Sequence, residues 1–340
     1  LLGKTGGNRM ANLKLQGLGM ALAVGAALAI TPQSAAADWQ PRKPVEFIIM
    51  AGTGGGADQI ARLMQGLIQK NDLSPMPFIP INKAGGSGAE ALRYIQDKAG
   101  DDHTLLVTLN SFYTTPLVQE GLGVDITKFT PIARMAIDTF LLWVPSDSEI
   151  SDFQSWGAEV AKTNKDFKVG GTGTGQEDSI LFAMLEAEFG ADVTYIPFPG
   201  GGDVAKSLVG KHIVSTVNNP AEQMEFWRAK QSKPLVQFTD ERMESFADVP
   251  TAKELGHDLV YYMQRSINGP PGMSPEAQEW YVNLFQELFN SQEWQDFCKS
   301  DGLTCDEFVG GAELATFHNN QLERHKALIE KVGAAAISSE

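Results

Sequence analysis

Positive charge is in short supply in this chain: 27 Lys and Arg stand against 42 Asp and Glu in 340 residues, a formal charge of −15. Nucleic-acid binding draws on clustered Lys and Arg, so no nucleic acid is expected as a partner. Cysteine is nearly absent, with only Cys298 and Cys305. There is no Cys-x-x-Cys, no His-x-x-x-His and no Gly-x-Ser-x-Gly, so neither a zinc site nor a nucleophile elbow has its residues. The His residues do not cluster either. His103, His212 and His257 are isolated, while His318 and His325 fall seven apart, too far along one helix to share a metal. Without a nucleophile–base constellation the chain is not expected to be an enzyme, and no cofactor or metal is implied.

Long hydrophobic runs are also missing. The apolar run Gly17–Ile30 has 14 residues, short for a membrane span, which is the competing reading. Lys14 precedes it and Ser34-Ala35-Ala36-Ala37 follows it. That order is a secretory signal peptide over residues 1–37, with Met10 as the start, an upstream extension before it and cleavage after Ala37. The mature chain is expected to be exported. Cleavage removes Lys4, Arg9 and Lys14 and no acid, leaving 24 basic against 42 acidic residues, a formal −18. Surface charge is screened beyond about 8 Å in physiological salt, so local donors still decide whether a small anion binds. In an exported chain Cys298 and Cys305 are free to pair; the alternative is a buried helix cysteine beside a loop cysteine. The length allows two domains with full cores.

What the chain has is glycine in four matched turns. They are Ala51-Gly52-Thr53-Gly54-Gly55-Gly56-Ala57-Asp58, Lys83-Ala84-Gly85-Gly86-Ser87-Gly88, Gly170-Gly171-Thr172-Gly173-Thr174-Gly175 and Pro199-Gly200-Gly201-Gly202-Asp203. Each follows an apolar β-like run and precedes a helical pattern, a design that aims free backbone N–H groups at an anion. Two in each half imply one anion-holding cleft between two similar lobes. The first turn also fits a dinucleotide fingerprint, but the second strand ends in Asn82-Lys83 without the ribose-binding acid, and no turn carries Gly-Lys-Ser/Thr.

Strands are predicted at Val45–Met50, Phe78–Ile81, His103–Leu109, Lys168–Gly170, Val193–Ile196, Ile213–Val217, Leu235–Phe238 and Leu259–Arg265, and Leu141–Val144 reads as the passage into the second lobe. Helices fall between them, starting near Asp58, Gly88 and Ser151, with Gln154 completing a capping box, and Thr251 and Glu254 form a second box. Helices from Pro275, Gln292 and Ala312 close the chain. The fold class is α/β in two lobes, each a mainly parallel sheet flanked by helices, with a ligand cleft between. Domain 1 is discontinuous, 38–141 plus 265–335; domain 2 is 142–264.

The candidate site follows from the turns and strand ends. Thr53, Ser87, Asn110, Ser111, Thr172, Thr174, Asn218 and Asn219 are neutral hydrogen-bonding residues on the expected cleft side, where turn chemistry alone would also place them. Gly55, Gly56, Gly86 and Gly201 present backbone N–H groups. Asp58 and Asp178 lie in first helical turns, as caps or as groups that orient the loop N–H donors. Arg265, at a strand end near the hinge, could take a second ligand carboxylate bidentately, or form an ion pair within the fold. Lys83 is a weaker cation candidate.

The chain resembles the periplasmic substrate-binding proteins of tripartite tricarboxylate transporters, the Bug family. The likeness rests on Pro44–Ile49 leading into Gly54-Gly55-Gly56-Ala57-Asp58, on Asn82-Lys83-Ala84-Gly85-Gly86-Ser87-Gly88, and on Gly171-Thr172-Gly173-Thr174-Gly175-Gln176-Glu177-Asp178. It continues through Pro197–Asp203, Ser215–Pro220, Asp248-Val249-Pro250-Thr251 and Gly269–Met273. The resemblance implies a two-lobed periplasmic binding protein fold, located in the periplasm, that closes on an organic anion and presents it to two membrane subunits. It implies contacts through Thr53–Asp58 and Ala84–Gly88 of lobe one, and Thr172–Asp178, including Gln176, with Asn218-Asn219 of lobe two. It points to the tricarboxylate-type branch, a di- or tricarboxylate such as citrate, and a monomer; aromatic and amino-acid ligands are less favoured. The alternatives are a ligand sensor docking a membrane receptor kinase and a nucleotide-dependent periplasmic enzyme.

Overall fold

The computed structural model describes residues 39–119 and 121–333; the expected signal peptide lies outside the described residues. The chain begins with β1 (Val45–Ile49), α1 (Gly56–Lys70), β2 (Phe78–Asn82), α2 (Ala89–Asp97), β3 (Thr104–Thr108) and α3 (Ser111–Val118). β1 pairs in parallel with both β2 and β3, as strand–helix–strand units require. α1 packs through one apolar face: Ile60, Met64, Leu67 and Ile68 are buried and Leu63 lies against the same core.

β4 (Thr130–Thr139) ends one residue before β5 (Leu141–Pro145), and Phe140 between them carries the chain from the first sheet to the second. Then come α4 (Phe153–Thr163), β6 (Lys168–Gly171), α5 (Glu177–Phe189), β7 (Thr194–Pro197), α6 (Gly201–Val209), β8 (Ser215–Thr216), α7 (Pro220–Arg228) and β9 (Ser232–Gln237). Residues 238–261 lead back to the first sheet through β10 (Tyr262–Gly269). The chain finishes with α8 (Pro275–Phe289), α9 (Gln292–Asp301), β11 (Val309–Gly310) and α10 (Gly311–Val332).

Among the described residues the strands form two sheets flanked by helices, ordered β11-β4-β10-β3-β1-β2 and β7-β6-β8-β5-β9. The α/β, two-lobed class is the expected one. The sheets, however, are mixed rather than mainly parallel. β10 returns from the second lobe and inserts antiparallel between β3 and β4, and β5 runs antiparallel to both β8 and β9. On β5 the two faces serve different cores. Leu141 and Trp143 pack with Val204, Leu208 and Met224, while Leu142 and Val144 join the main core, as a two-residue period dictates.

Local signals were shifted in places. The box opening α4 is Asp152 with Ser155, not Ser151 with Gln154. Thr251 and Glu254 do bond reciprocally, at 2.8 and 3.1 Å, but over a turn that does not propagate into a helix. Cys298, on α9, is disulfide-bonded to Cys305. No helix among the described residues is long and apolar enough to cross a membrane.

Candidate functional site

Four helix N-termini meet where the two sheets face each other. The first turns of α1 and of α5, α6 and α7 supply Gly55, Gly56 and Ala57 from one lobe and Gln176, Glu177, Asp178, Gly200, Gly201, Asn219 and Glu222 from the other. Leu109 and Met263 add apolar wall, and Arg265 lies beneath. Each helix N-terminus carries unpaired N–H groups and partial positive charge, so the cleft is suited to carboxylates. The cavity among them holds about 30 Å³, room for a water or two, and the two lobes meet around it. They meet closely enough that a Cβ on Gly52 would meet the Pro199 carbonyl oxygen at 2.5 Å.

Contacts across the cleft are specific. Gly56 N–H donates to Glu222 Oε1 at 3.0 Å, and Ser111 N–H, at the start of α3, donates to Glu177 Oε1. Ser87 Oγ donates to the Thr174 carbonyl at 2.8 Å, and Thr114 Oγ1 to that of Gly175 at 2.9 Å. Glu222 is held from its own side by Asn218 Nδ2 at 2.7 Å and Asn219 N–H at 3.1 Å. Its carboxyl occupies the space a Cβ on Gly201 would take, so position 201 must lack a side chain.

The two acids read as caps or loop orienters act alike. Asp58 accepts from Gly54 N–H at 2.9 Å, and also from Arg62 and Asn82; Asp178 accepts from Thr172 N–H at 2.8 Å. Each fixes the glycine turn before its own helix. Asp178 lines the cavity, whereas Asp58 is buried behind the turn.

Of the residues expected at the site, Gly55, Gly56, Thr172, Gln176, Asp178, Gly201, Asn219 and Arg265 line the cavity. Ser87, Ser111 and Thr174 stand at the lobe contact. Thr53 is exposed beside the cleft, and the Gly86 carbonyl is taken by Gln119. Asn110 is buried and bonds the β10 backbone at Tyr262 and Gln264, and Asn218 bonds Gly201 and Glu222, so both are braces. Arg265 takes the second of its two readings. It lies within β10 rather than at a strand end, and its Nε and Nη2 donate to buried Asp138, with Asn219 Oδ1 at 3.3 Å. Lys83 is away from the cleft, paired with Glu90.

Glu222 and Asp138 went unread, and Glu177 was covered only as part of the Thr172–Asp178 segment that the resemblance implied. Glu177 and Glu222 occupy first helical turns, where an acid already has a local explanation. Burial dominates their titration. Glu177 is pushed up to about 7, and Glu222 and Asp138 are also raised by loss of water, with Arg265 opposing. Asp178 is raised well above its ordinary value, first by burial and then by the like charges of Glu222 and Glu177.

A family described as "Tripartite tricarboxylate transporter family receptor" matches residues 60–334. The chain is similar to the "UPF0065 protein in gbd 5'region" of Cupriavidus necator, 25% identical over 308 residues that cover 91% of this chain and 93% of that protein. In three dimensions it is similar to the periplasmic binding protein BugD, with a TM-score of 0.82 and 19% identity over 86% of this chain and 99% of that one. It is also similar to MatC from Rhodopseudomonas palustris with bound malate, with a TM-score of 0.77 and 20% identity over 85% and 99% of the two chains. At such identities the structural likeness is one of fold.

Proposed function

Because the chain belongs to the tripartite tricarboxylate transporter receptor family, whose members are binding proteins and not enzymes, we propose a specific role for it within that class. It captures a small organic acid in the periplasm and delivers it to the membrane subunits of a tripartite tricarboxylate-type transporter. The observation that carries the reading is the Gly56 N–H, which already holds a carboxylate oxygen, that of Glu222, at 3.0 Å. A ligand carboxylate arriving at the N-terminus of α1 meets the same donors and partial charge. The bound malate of MatC is consistent with this chemistry.

Within the di- and tricarboxylates, the acids around the cavity favour ligands of lower negative charge over citrate. Lobe closure turns on the two places where the chain crosses, near Leu141–Val144 and Leu259–Arg265, since few dihedrals there need change. A thermal-shift screen of malate, succinate and citrate against neutral sugars tests the reading. A ligand at about 100 times its dissociation constant adds roughly 2.7 kcal/mol. Stabilisation by the sugars alone would sink it.

A further inference from the structure

We propose that the cavity between β4 and α10, outside the interlobe cleft, is a second binding site, and that it takes a small organic monoanion: one carboxylate on a compact apolar body. The cavity holds about 360 Å³. Its walls include Arg134 and Ile137 of β4, Tyr262 at the start of β10, and Phe317, Gln321 and Arg324 of α10. The last three follow the i, i+4, i+7 spacing of one helical face, and α10 packs on β4. The inference goes beyond the receptor reading and does not depend on it.

Charge is the first argument. In a chain of formal charge −15, the described lining of this cavity has two arginines and no carboxylate. The interlobe cavity and the cavities beside Lys299, Lys162 and Arg242 are each lined by more acids than cations. Unused donors are the second argument. The Arg134 side chain is only 12% exposed, and its Nη2 alone is engaged, with the carbonyl and carboxylate of Glu307, whose own side chain is 76% exposed. A guanidinium carries its N–H donors in a fixed fork, so Nε and Nη1 are left without an acceptor among the described residues. Arg324 makes no ion pair among the described residues: Asp240, which feels its charge, is already held by Lys253 at 2.7 Å and by Tyr262 Oη at 3.1 Å.

The apolar body follows from what stands beside the charges. The Arg134 guanidinium lies over the Phe317 ring, 4.9 Å from its centroid, and Ile137 lines the same cavity. A guanidinium stacked on a ring keeps its N–H edge free for a carboxylate. An anion paired at that edge lays its remaining atoms against Phe317 and Ile137, both only half-buried by the protein itself. An inorganic anion would fill a small part of the space and leave those two uncovered. A second carboxylate would lose its water against them without a partner. The other polar groups of the lining do not compete: the Asn110 amide is spent on the β10 backbone at Tyr262 and Gln264, and Gln264 Nε2 on Thr108 and the Leu109 carbonyl. Recognition therefore falls to the two arginines.

Calorimetric titration of the protein with benzoate at neutral pH tests this. Benzyl alcohol supplies the body without the charge, and acetate the charge without the body. Benzoate is expected to bind at least about tenfold tighter than either. Arg134→Gln and Arg324→Gln should each weaken benzoate at least about fivefold. Arg324 is exposed on its helix, so Arg324→Gln should keep the parental melting temperature and decides the matter even where Arg134→Gln fails to fold. Benzoate seated in the interlobe cleft would keep its parental affinity in both variants, and that result overturns the site. So does benzyl alcohol or acetate binding as tightly as benzoate, or no benzoate binding up to about 10 mM. None of these outcomes touches the receptor reading, which the thermal-shift screen tests separately.

Discussion

Glu222 Oε1 accepts the Gly56 N–H at 3.0 Å, tying the first turn of α7 to the first turn of α1 across the cleft. The other oxygen of the same carboxylate receives Asn219 N–H at 3.1 Å, within the capping box that starts α7. One side chain therefore closes two helix N-termini belonging to different lobes. Glu222→Ala should lower stability by about 1–2 kcal/mol, the size of a lost cap. Glu222→Gln keeps one acceptor oxygen and turns the other position into a donor, so it can still serve one of the two N-termini and should lose less than Glu222→Ala. Urea unfolding of the two variants checks the order, and an equal loss would show that the carboxyl is no brace.

Glu177 gives a pH signature that is best read as a difference between proteins. Its folded pKa is about 7, raised by burial from 4.5. Its stabilising contribution is therefore fully present below pH 4.5 and is lost as pH rises through 7. The stability of Glu177→Gln relative to the parent should rise between pH 5 and pH 8, by on the order of 2–3 kcal/mol. A difference that stays flat over that window would mean the carboxyl titrates normally.

His318 and His325 work in the opposite direction. Burial holds them at about 3 and about 4, below the ordinary 6.5. Their neutral rings contact Tyr113 Oη at 2.6 Å and the Gln321 carbonyl at 2.7 Å. Stability from these groups is present above pH 6.5 and falls away below it, by about 1.4 kcal/mol per pH unit for each ring. Two histidine resonances that do not move between pH 8 and pH 5, together with a shallower acid limb for His318→Gln, are the expected observations.

Removing Arg265 strands a buried charge. Its partner Asp138 is 1% exposed and is otherwise held by Thr139 N–H at 2.8 Å. Arg265→Ala should cost about 3–5 kcal/mol of stability, while Lys83→Ala, which breaks an ion pair whose Glu90 partner is exposed, should cost less than about 1 kcal/mol. Denaturant titration measures both. A loss below 1 kcal/mol at Arg265 would contradict the buried pair.

The lobe contact can be locked. A Cβ on Gly173 would lie 3.4 Å from Ser87 Cβ, close to the separation a disulfide spans. Ser87→Cys with Gly173→Cys should oxidise readily and slow ligand exchange at least about tenfold, with a reducing agent restoring it. Exchange at the parental rate in the oxidised protein would mean that these turns need not part for ligand to leave.

Much of the framework was legible because its signals are local. A glycine turn, a first helical turn and an apolar face each lie within one stretch of chain, so the N-termini of α1, α2, α5 and α6 could be placed. β4 was not legible. Its burial runs in adjacent pairs, Ile132-Ala133 and Met135-Ala136, without the strict alternation that marks a half-exposed strand. The place of β10 was obscure for a related reason. Its neighbours β3 and β4 come from far earlier in the chain, and nothing nearby in sequence names them.

Short-range sterics and capping act within a few residues, so an α/β chain whose glycine turns open helices toward a shared cleft could be read from the order of residues alone. Tertiary structure decided which charges face one another there. Arg265 meets Asp138 across 127 positions, and Gly56 meets Glu222 across 166. An acid in a first helical turn reads the same whether it merely caps its helix or reaches the opposite lobe. The difference is set by the packing of the two sheets, which removes water from Glu177, Asp178 and Glu222 together and makes them one site.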